Sequence, residues 1–455
     1  MKSLFSSILL AVLLFSCSTT SDEMKDISST ENRPETGEQT EQTPRDTGDF
    51  EEKENPQSRP ATGENSVTGK PESEEQRGQT EEEILHSIMK NMSLREKIGQ
   101  LFILQIRYNR DGSPRRKVDD ELNLFLREFE PGGIILFREN IVDNRQVESL
   151  ISNLQGLSRI PLFISVDEEG GPVSRLGKAP KVDVTLLPPA FSIGSTKDSG
   201  LAYNAGLVLG RELRALGVNM DMAPVADVNT NPENPVIGNR AYSSDPLIAG
   251  EMVAGVIHGF HKYNIISVIK HFPGHGDTSL DTHAGTVVLP FNRNRLDSIE
   301  FLPFRFGIEA GTDAIMTAHI VMSGISSLPL PATLNPEIVT GIIRQELRFD
   351  GLVISDALNM GAISGKYTAG ESAVAGIKAG LDILLMPEDR ISAFEALVNA
   401  VQHGEISEKR IDESVYRILR TKYDRKILFP DSLEETIEDV HEDPDHQVLI
   451  QSFLG

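Results

Sequence analysis

Cysteine is almost absent from this 455-residue chain. Cys17 stands alone, so no intrachain disulfide can form and the cysteine count says nothing about compartment. Positive charge is also short: 44 Lys and Arg stand against 68 Asp and Glu, a formal net charge of −24. Nothing offers the basic footprint that nucleic acid demands. The apolar run at the N-terminus, Leu4 to Phe15, is too short to span a bilayer. No glycine-rich nucleotide fingerprint opens the first strand–helix units, which counts against a dinucleotide-binding fold.

That N-terminal run has a different use. "MKSLFSSILLAVLLFSC" starts positive at Lys2, continues apolar and ends on a small residue before cysteine, a secretory leader that resembles the lipobox of bacterial lipoproteins. The expectation is a signal peptide over 1–16 and a lipid on Cys17. A membrane-anchored lipoprotein of the bacterial cell envelope follows, on the periplasmic or outer face. Residues 17–80 are Glu, Thr, Ser, Pro, Gly and Gln with almost no apolar content. From 18 to 83 there are 19 acidic and 7 basic side chains, a balance of −12 and so half of the chain's net charge. Such a segment cannot bury enough surface to offset its ordering entropy, and a disordered acidic tether is expected. The overall charge therefore carries no information on substrate.

From about residue 81 the pattern changes. "MSLREKIGQLFIL" places Ser93 three residues before Glu96, a capping box at a helix start. Short apolar runs then alternate with amphipathic helices: one near Gln100–Leu104, then 132–137, 161–167, 219–227, 267–272, 313–319, 351–356 and 382–387. The segment 407–422, with Ile411, Val415, Ile418 and Leu419 on one face, is one such helix. Buried strands alternating with helices predict a parallel sheet, and about eight of them predict a single (β/α)8 barrel of the α/β class over 81–430. The remaining 431–455 is an acidic tail that can pack as a short helix.

The strands share a second property. Asp167, Asp227, Lys270 with His271, His319 and Asp356 each close an apolar run. In a barrel these C-terminal ends converge on one face, so the spacing predicts one shared site. The loop "VIKHFPGHGDTSLDTHAG", residues 268–285, adds His275, Asp277, Asp281 and His283. Its histidines and aspartates could hold zinc, but the loop is rich in glycine and metal sites favour rigid elements. Asp281 and His283 are two apart, so in extended chain the carboxylate can orient the imidazole for acid/base work. With Asp356 on a rigid strand end as a carboxylate nucleophile, this is the equipment of a retaining glycosidase.

The ordered motifs "MSLREKIGQLF", "GGIILFREN", "SVDEEGGPVSRL", "NPVIGNRAYSSDP", "KHFPGHGDTSLDTHAG", "MTAHIVM" and "GLVISDALNM" resemble glycoside hydrolase family 3, in its peptidoglycan-recycling β-N-acetylglucosaminidase form. The resemblance covers about residues 90–425. It implies Asp356 as nucleophile, His283 as general acid/base and Asp281 as its partner. It further implies Asp167, Arg175, Arg240, Lys270 and His271 as groups that hold the terminal sugar, while Glu168 and Glu169 read as loop residues. The expected activity is exo-hydrolysis of terminal N-acetylglucosamine from muropeptide or chitooligosaccharide fragments, on one domain, as a monomer, with no metal or organic cofactor. Phosphorolysis, β-glucosidase activity and non-catalytic sugar binding are the alternatives. An imidazole acid does not repel phosphate as a carboxylate would, so the first is physically open.

Overall fold

The computed structural model describes residues 80–279, 285, 287–430 and 435–454. Cys17 with the leader and tether, and Asp281 and His283, lie outside the described residues. All described residues fall in the compact unit Val67–Gly455.

Ser93 caps the helix Leu94–Gln100 as its spacing predicts. Its hydroxyl accepts from Glu96 N at 3.3 Å, and the Glu96 carboxylate accepts from Ser93 N at 2.5 Å. The chain then enters β1 (Phe102–Gln105), followed by β2 (Gly133–Ile135), β3 (Phe163–Val166), β4 (Met220–Asp221), β5 (Ile266–Phe272), β6 (Val287–Leu289), β7 (Ala314–Thr317), β8 (Ile320–Met322), β9 (Leu352–Ser355) and β10 (Leu384–Leu385). Eight of these form one parallel sheet in the order β10-β1-β2-β3-β4-β5-β7-β9. A parallel bridge between Ile354 and Ile383 joins its two ends, with Ser355 N donating to Ile383 O at 3.0 Å. The expected (β/α)8 barrel is therefore present. Its strands are mostly apolar and buried on both faces because helices cover the outer face and side chains fill the interior.

β4 is short for a local reason. Pro224 lacks the N–H a ladder needs, so after Met222 N donates to Val166 O and Val268 N donates to Ala223 O the regular ladder breaks, and the next pairing is the bridge between Val225 and Lys270. β6 and β8 pair in parallel outside the barrel, in register from Val287 with Ile320 to Leu289 with Met322. This pair ties the far end of the β5 loop to the segment that follows β7.

The helices Ser199–Ala215 and Pro246–Lys262 approach closely: a Cβ on Gly259 would meet Tyr203 O at 2.5 Å. The helix Glu408–Asp424 buries Ile411, Val415, Ile418 and Leu419, the predicted face. It also buries Lys422, which donates to Gln100 Oε1 at 2.9 Å and lies 4.7 Å from the Phe163 ring centre. Burial depresses this ammonium to about 7. The helix between β8 and β9, Glu337–Glu346, is of the wider π type.

The tail differs from the single short helix expected. It forms two, Ile437–Glu442 and Pro444–Leu454, because Pro444 cannot continue a helix but suits the first position of a new one. Both pack on Ser199–Ala215. Among the described residues no helix is long and apolar enough to cross a membrane.

Candidate active site

The site is built from the C-terminal ends of five strands. β3 delivers Asp167, Glu168 and Glu169 in sequence, and the three carboxylates have three different environments. Glu168 is fully buried. It accepts from the Ser174 hydroxyl and from the backbone N–H groups of Arg175 (2.9 Å), Leu176 (2.8 Å) and Gly177 (3.2 Å). It is the internal scaffold of the loop, and burial pushes its carboxyl up. The loop can fold over it because Gly170 and Gly171 take positive φ (83° and 51°), and a Cβ on Gly171 would meet Pro189 Cα at 2.6 Å.

Glu169 accepts from both Arg240 Nε and Nη2 at 2.8 Å, and from Lys270 Nζ at 2.5 Å. Burial alone would raise its carboxyl, but the two cations hold it far below the usual range. Asp167 accepts from Arg175 Nη2 (3.1 Å) and Lys270 Nζ (3.2 Å) while staying partly exposed. Arg175 and Arg107 lie 5.6 and 4.6 Å from the Phe137 ring centre. The result is a layered charge array in which the buried Glu169 balances Arg240 and Lys270, and Asp167 faces the open side. Vicinal hydroxyls are a natural ligand for such an edge of fixed donors and one carboxylate. Beneath it Asp221 accepts from Glu168 N at 2.9 Å, and burial pushes its carboxyl well up.

β4 and β5 meet at Asp227. This fully buried carboxylate accepts from His271 Nδ1 at 2.7 Å, from His271 N at 3.3 Å and from His275 N at 2.6 Å. A carboxylate only accepts, so Nδ1 carries the proton and the His271 ring is fixed in orientation. The His275 ring centre lies 5.9 Å from that of His271, and its Nδ1 is 2.8 Å from Thr278 Oγ1. Burial, then the neighbouring His271, lowers the His275 imidazole. The base of the β5 loop is pinned on several sides. Asn234 Nδ2 donates to His275 O at 2.8 Å, and Asp277 accepts from Thr230 Oγ1 (2.8 Å) and from Arg295.

β7 and β9 supply His319 and Asp356. His319 Nε2 donates to Ala357 O at 3.0 Å, and Nδ1 lies 2.8 Å from Thr333 Oγ1. Asp356 accepts from Ala357 N at 2.7 Å, and its own N–H donates to Thr317 O at 3.0 Å. Burial would raise this carboxyl, yet it sits below the usual range, because His319, His271, the Ala357 N–H and Lys270 together outweigh desolvation.

Asp167, Arg175, Arg240, Lys270, His271 and Asp356 thus surround one mouth, linked through direct contacts or through electrostatic coupling at Asp356. Arg240 reaches it through Glu169, and its Nη1 is held by Val236 O at 3.0 Å, which leaves an N–H on each terminal nitrogen for a ligand. Glu169 and Asp227 are the residues the sequence reading undervalued. Glu169 reads as a loop residue in the sequence, because the Arg240 that buries it lies 71 residues away. Asp227 was visible at a strand end, but its partners are 44 and 48 residues away.

A parallel barrel whose mouth combines an ionised strand-end carboxylate, a carboxylate–imidazole pair and fixed cations has the layout of a (β/α)8 enzyme acting on a polar, hydroxyl-bearing ligand. The Glycosyl hydrolase family 3 N terminal domain matches residues 93–421, and the chain belongs to that family. It is 33% identical over 362 residues to "Beta-hexosaminidase A" of Pseudoalteromonas piscicida, covering 71% of this chain and 60% of that protein's length. A "Beta-hexosaminidase" of Stenotrophomonas maltophilia is 34% identical over 260 residues, 56% of this chain and 75% of its own. The structure of a glycoside hydrolase family 3 beta-N-acetylglucosaminidase from Paenibacillus sp. superposes with a TM-score of 0.73 at 38% identity. The match covers 80% of this chain and 68% of that one.

Proposed function

We propose that this chain is a retaining exo-β-N-acetylglucosaminidase that removes terminal N-acetylglucosamine from muropeptide or chitooligosaccharide fragments. The observation that carries the reading is Asp356, a carboxylate fixed at the end of β9 and held ionised by the positive charge around it. The β-hexosaminidase relatives support the sugar. In the proposed reaction Asp356 attacks the anomeric carbon, and the bond to the leaving oxygen breaks as His283 gives that oxygen its proton. Water then attacks the same carbon and gives a proton to His283, and the glycosyl–aspartate bond breaks with retention. Asp281 orients His283. Asp167, Arg175 and Lys270 hold the sugar hydroxyls, with Arg240 and His271 completing the subsite. The leader pattern supports the accompanying proposal that Cys17 carries a lipid and holds the enzyme at the cell envelope.

The test is turnover of an aryl N-acetylglucosaminide by Asp356→Ala and His283→Ala, beside intact-mass detection of a glycosyl adduct on the wild type. A panel of aryl glycosides in phosphate buffer, analysed for sugar 1-phosphate, separates hydrolysis from phosphorolysis and N-acetylglucosamine from glucose. Unchanged turnover in either variant overturns the mechanism.

A further inference from the structure

A second cluster of ligating side chains stands apart from the mouth. Glu212, on the helix Ser199–Ala215, is fully buried beneath the two tail helices. Its Oε1 lies 3.2 Å from His441 Nε2 and 3.1 Å from His446 Nε2, and the three ligand atoms all lie within 4.8 Å of one another. His446 is 1% exposed.

Both imidazoles crowd onto one oxygen of Glu212. Oε1 already accepts from the Thr185 hydroxyl at 2.6 Å, and His446 Nε2 sits at hydrogen-bonding distance from the same oxygen. A carboxylate oxygen has two in-plane lone pairs, so it is then full. His441 Nε2 is buried and faces this oxygen off the ideal hydrogen-bond line, a charge contact with Glu212 that raises the imidazole. One carboxylate oxygen and two imidazole nitrogens, all potential lone-pair donors, converge on one point.

The geometry points to a binding site for a divalent transition cation of the zinc class, ligated by Glu212, His441 and His446. In a tetrahedral site with ligands at about 2.0–2.1 Å, neighbouring ligand atoms are about 3.3 Å apart, close to the two separations at Oε1. The carboxylate is oriented as a metal ligand needs: Thr185 N donates to Oε2 at 2.7 Å and its hydroxyl to Oε1. Solvent supplies the fourth position on the partly exposed His441 side.

The cation would act as a latch. His441 and His446 belong to different tail helices, separated by the break at Pro444, so one ion fixes both helices to the barrel. Arg211 prepares the site without metal. It donates to Glu435 at 2.6 and 3.0 Å and to Asp443 at 2.6 Å, two acids that flank His441 in the chain, Asp443 lying three residues before His446. This departs from the metal-free chain expected from the sequence, and it concerns the tail rather than the mouth.

The test uses the full chain stripped with chelator, then dialysed against zinc and, separately, cobalt(II). One bound equivalent is expected, with the visible bands of tetrahedral cobalt and a thermal midpoint that rises with zinc concentration. His441→Gln and His446→Gln should each lose the equivalent, the cobalt bands and the midpoint shift. If His446→Gln fails to fold, the half-exposed His441→Gln decides alone. Absence of a stoichiometric site in the wild type overturns the proposal, and so does retention of the bound equivalent in His441→Gln, which would place the metal elsewhere.

Discussion

Glu169 and Arg240 form a two-pronged ion pair, 2.8 Å on each arm, sealed beneath the edge formed by Asp167 and Arg175 and shared with Lys270. Glu169 holds two cations in place so that Asp167 and Arg175 can face a ligand. Removing it leaves Arg240 buried without its paired counter-charge and Lys270 with Asp167 alone. Glu169→Ala should therefore destabilise the barrel by about 3–5 kcal/mol, read by denaturant unfolding. Glu169→Gln, which keeps the shape and loses the charge, should raise KM more than it lowers kcat. An unfolding midpoint unchanged in Glu169→Ala would show that the pair is not the keystone.

Asp356 gives a prediction with a sign. Its folded carboxyl lies below the ordinary value near 3.9. The stability it contributes is thus fully present above that ordinary value and is lost as pH falls through the lowered folded one. Asp356→Asn should reduce kcat by about 10³-fold or more. It should also lower the thermal midpoint at pH 7, with the gap to wild type closing below about pH 4. A gap that widens on acidification would contradict the assigned direction.

Lys422 shares the direction of the pH dependence, but here the charged form destabilises the fold. Its folded value is depressed to about 7, so below pH 7 both folded and unfolded chains carry the proton and the full cost of burying the charge falls on the native state. Between 7 and the ordinary value near 10.4 the unfolded chain binds more protons, and stability rises with pH. Lys422→Met should stabilise by about 1–3 kcal/mol at pH 6, reduced by the lost bond to Gln100, and the gain should vanish near pH 10. Denaturant midpoints across that range check it.

Barrel and mouth were legible for the same reason. A strand buried on both faces must be an apolar run, and a polar residue ending that run must sit at the rim, so Asp167, Asp227, Lys270, His271, His319 and Asp356 announced themselves. Glu168 and Glu169 did not. Nothing local distinguishes a solvated loop acid from one buried under a cation 71 residues away, since the distinction is made by tertiary desolvation. The tail was equally opaque: its composition is that of a solvated segment, and only Glu212, more than 220 residues earlier, gives His441 and His446 a common partner.

Arg295 governs the base of the β5 loop, from which the segment bearing Asp281 and His283 departs. It contacts Asp277 and donates to Glu300 Oε1 at 3.0 and 2.9 Å, while Thr230 also holds Asp277. Arg295→Ala frees the loop base without touching Asp167, Arg175 or Lys270. If the proposed roles of His283 and of the Asp167 edge hold, the result is a fall in kcat of about 10–100-fold, with KM shifted far less. Arg295→Lys should restore part of the rate by keeping the charge at Asp277. Steady-state kinetics of both variants, set beside their melting points, separates positioning from folding: a loss of stability with kcat preserved would assign Arg295 to the scaffold alone.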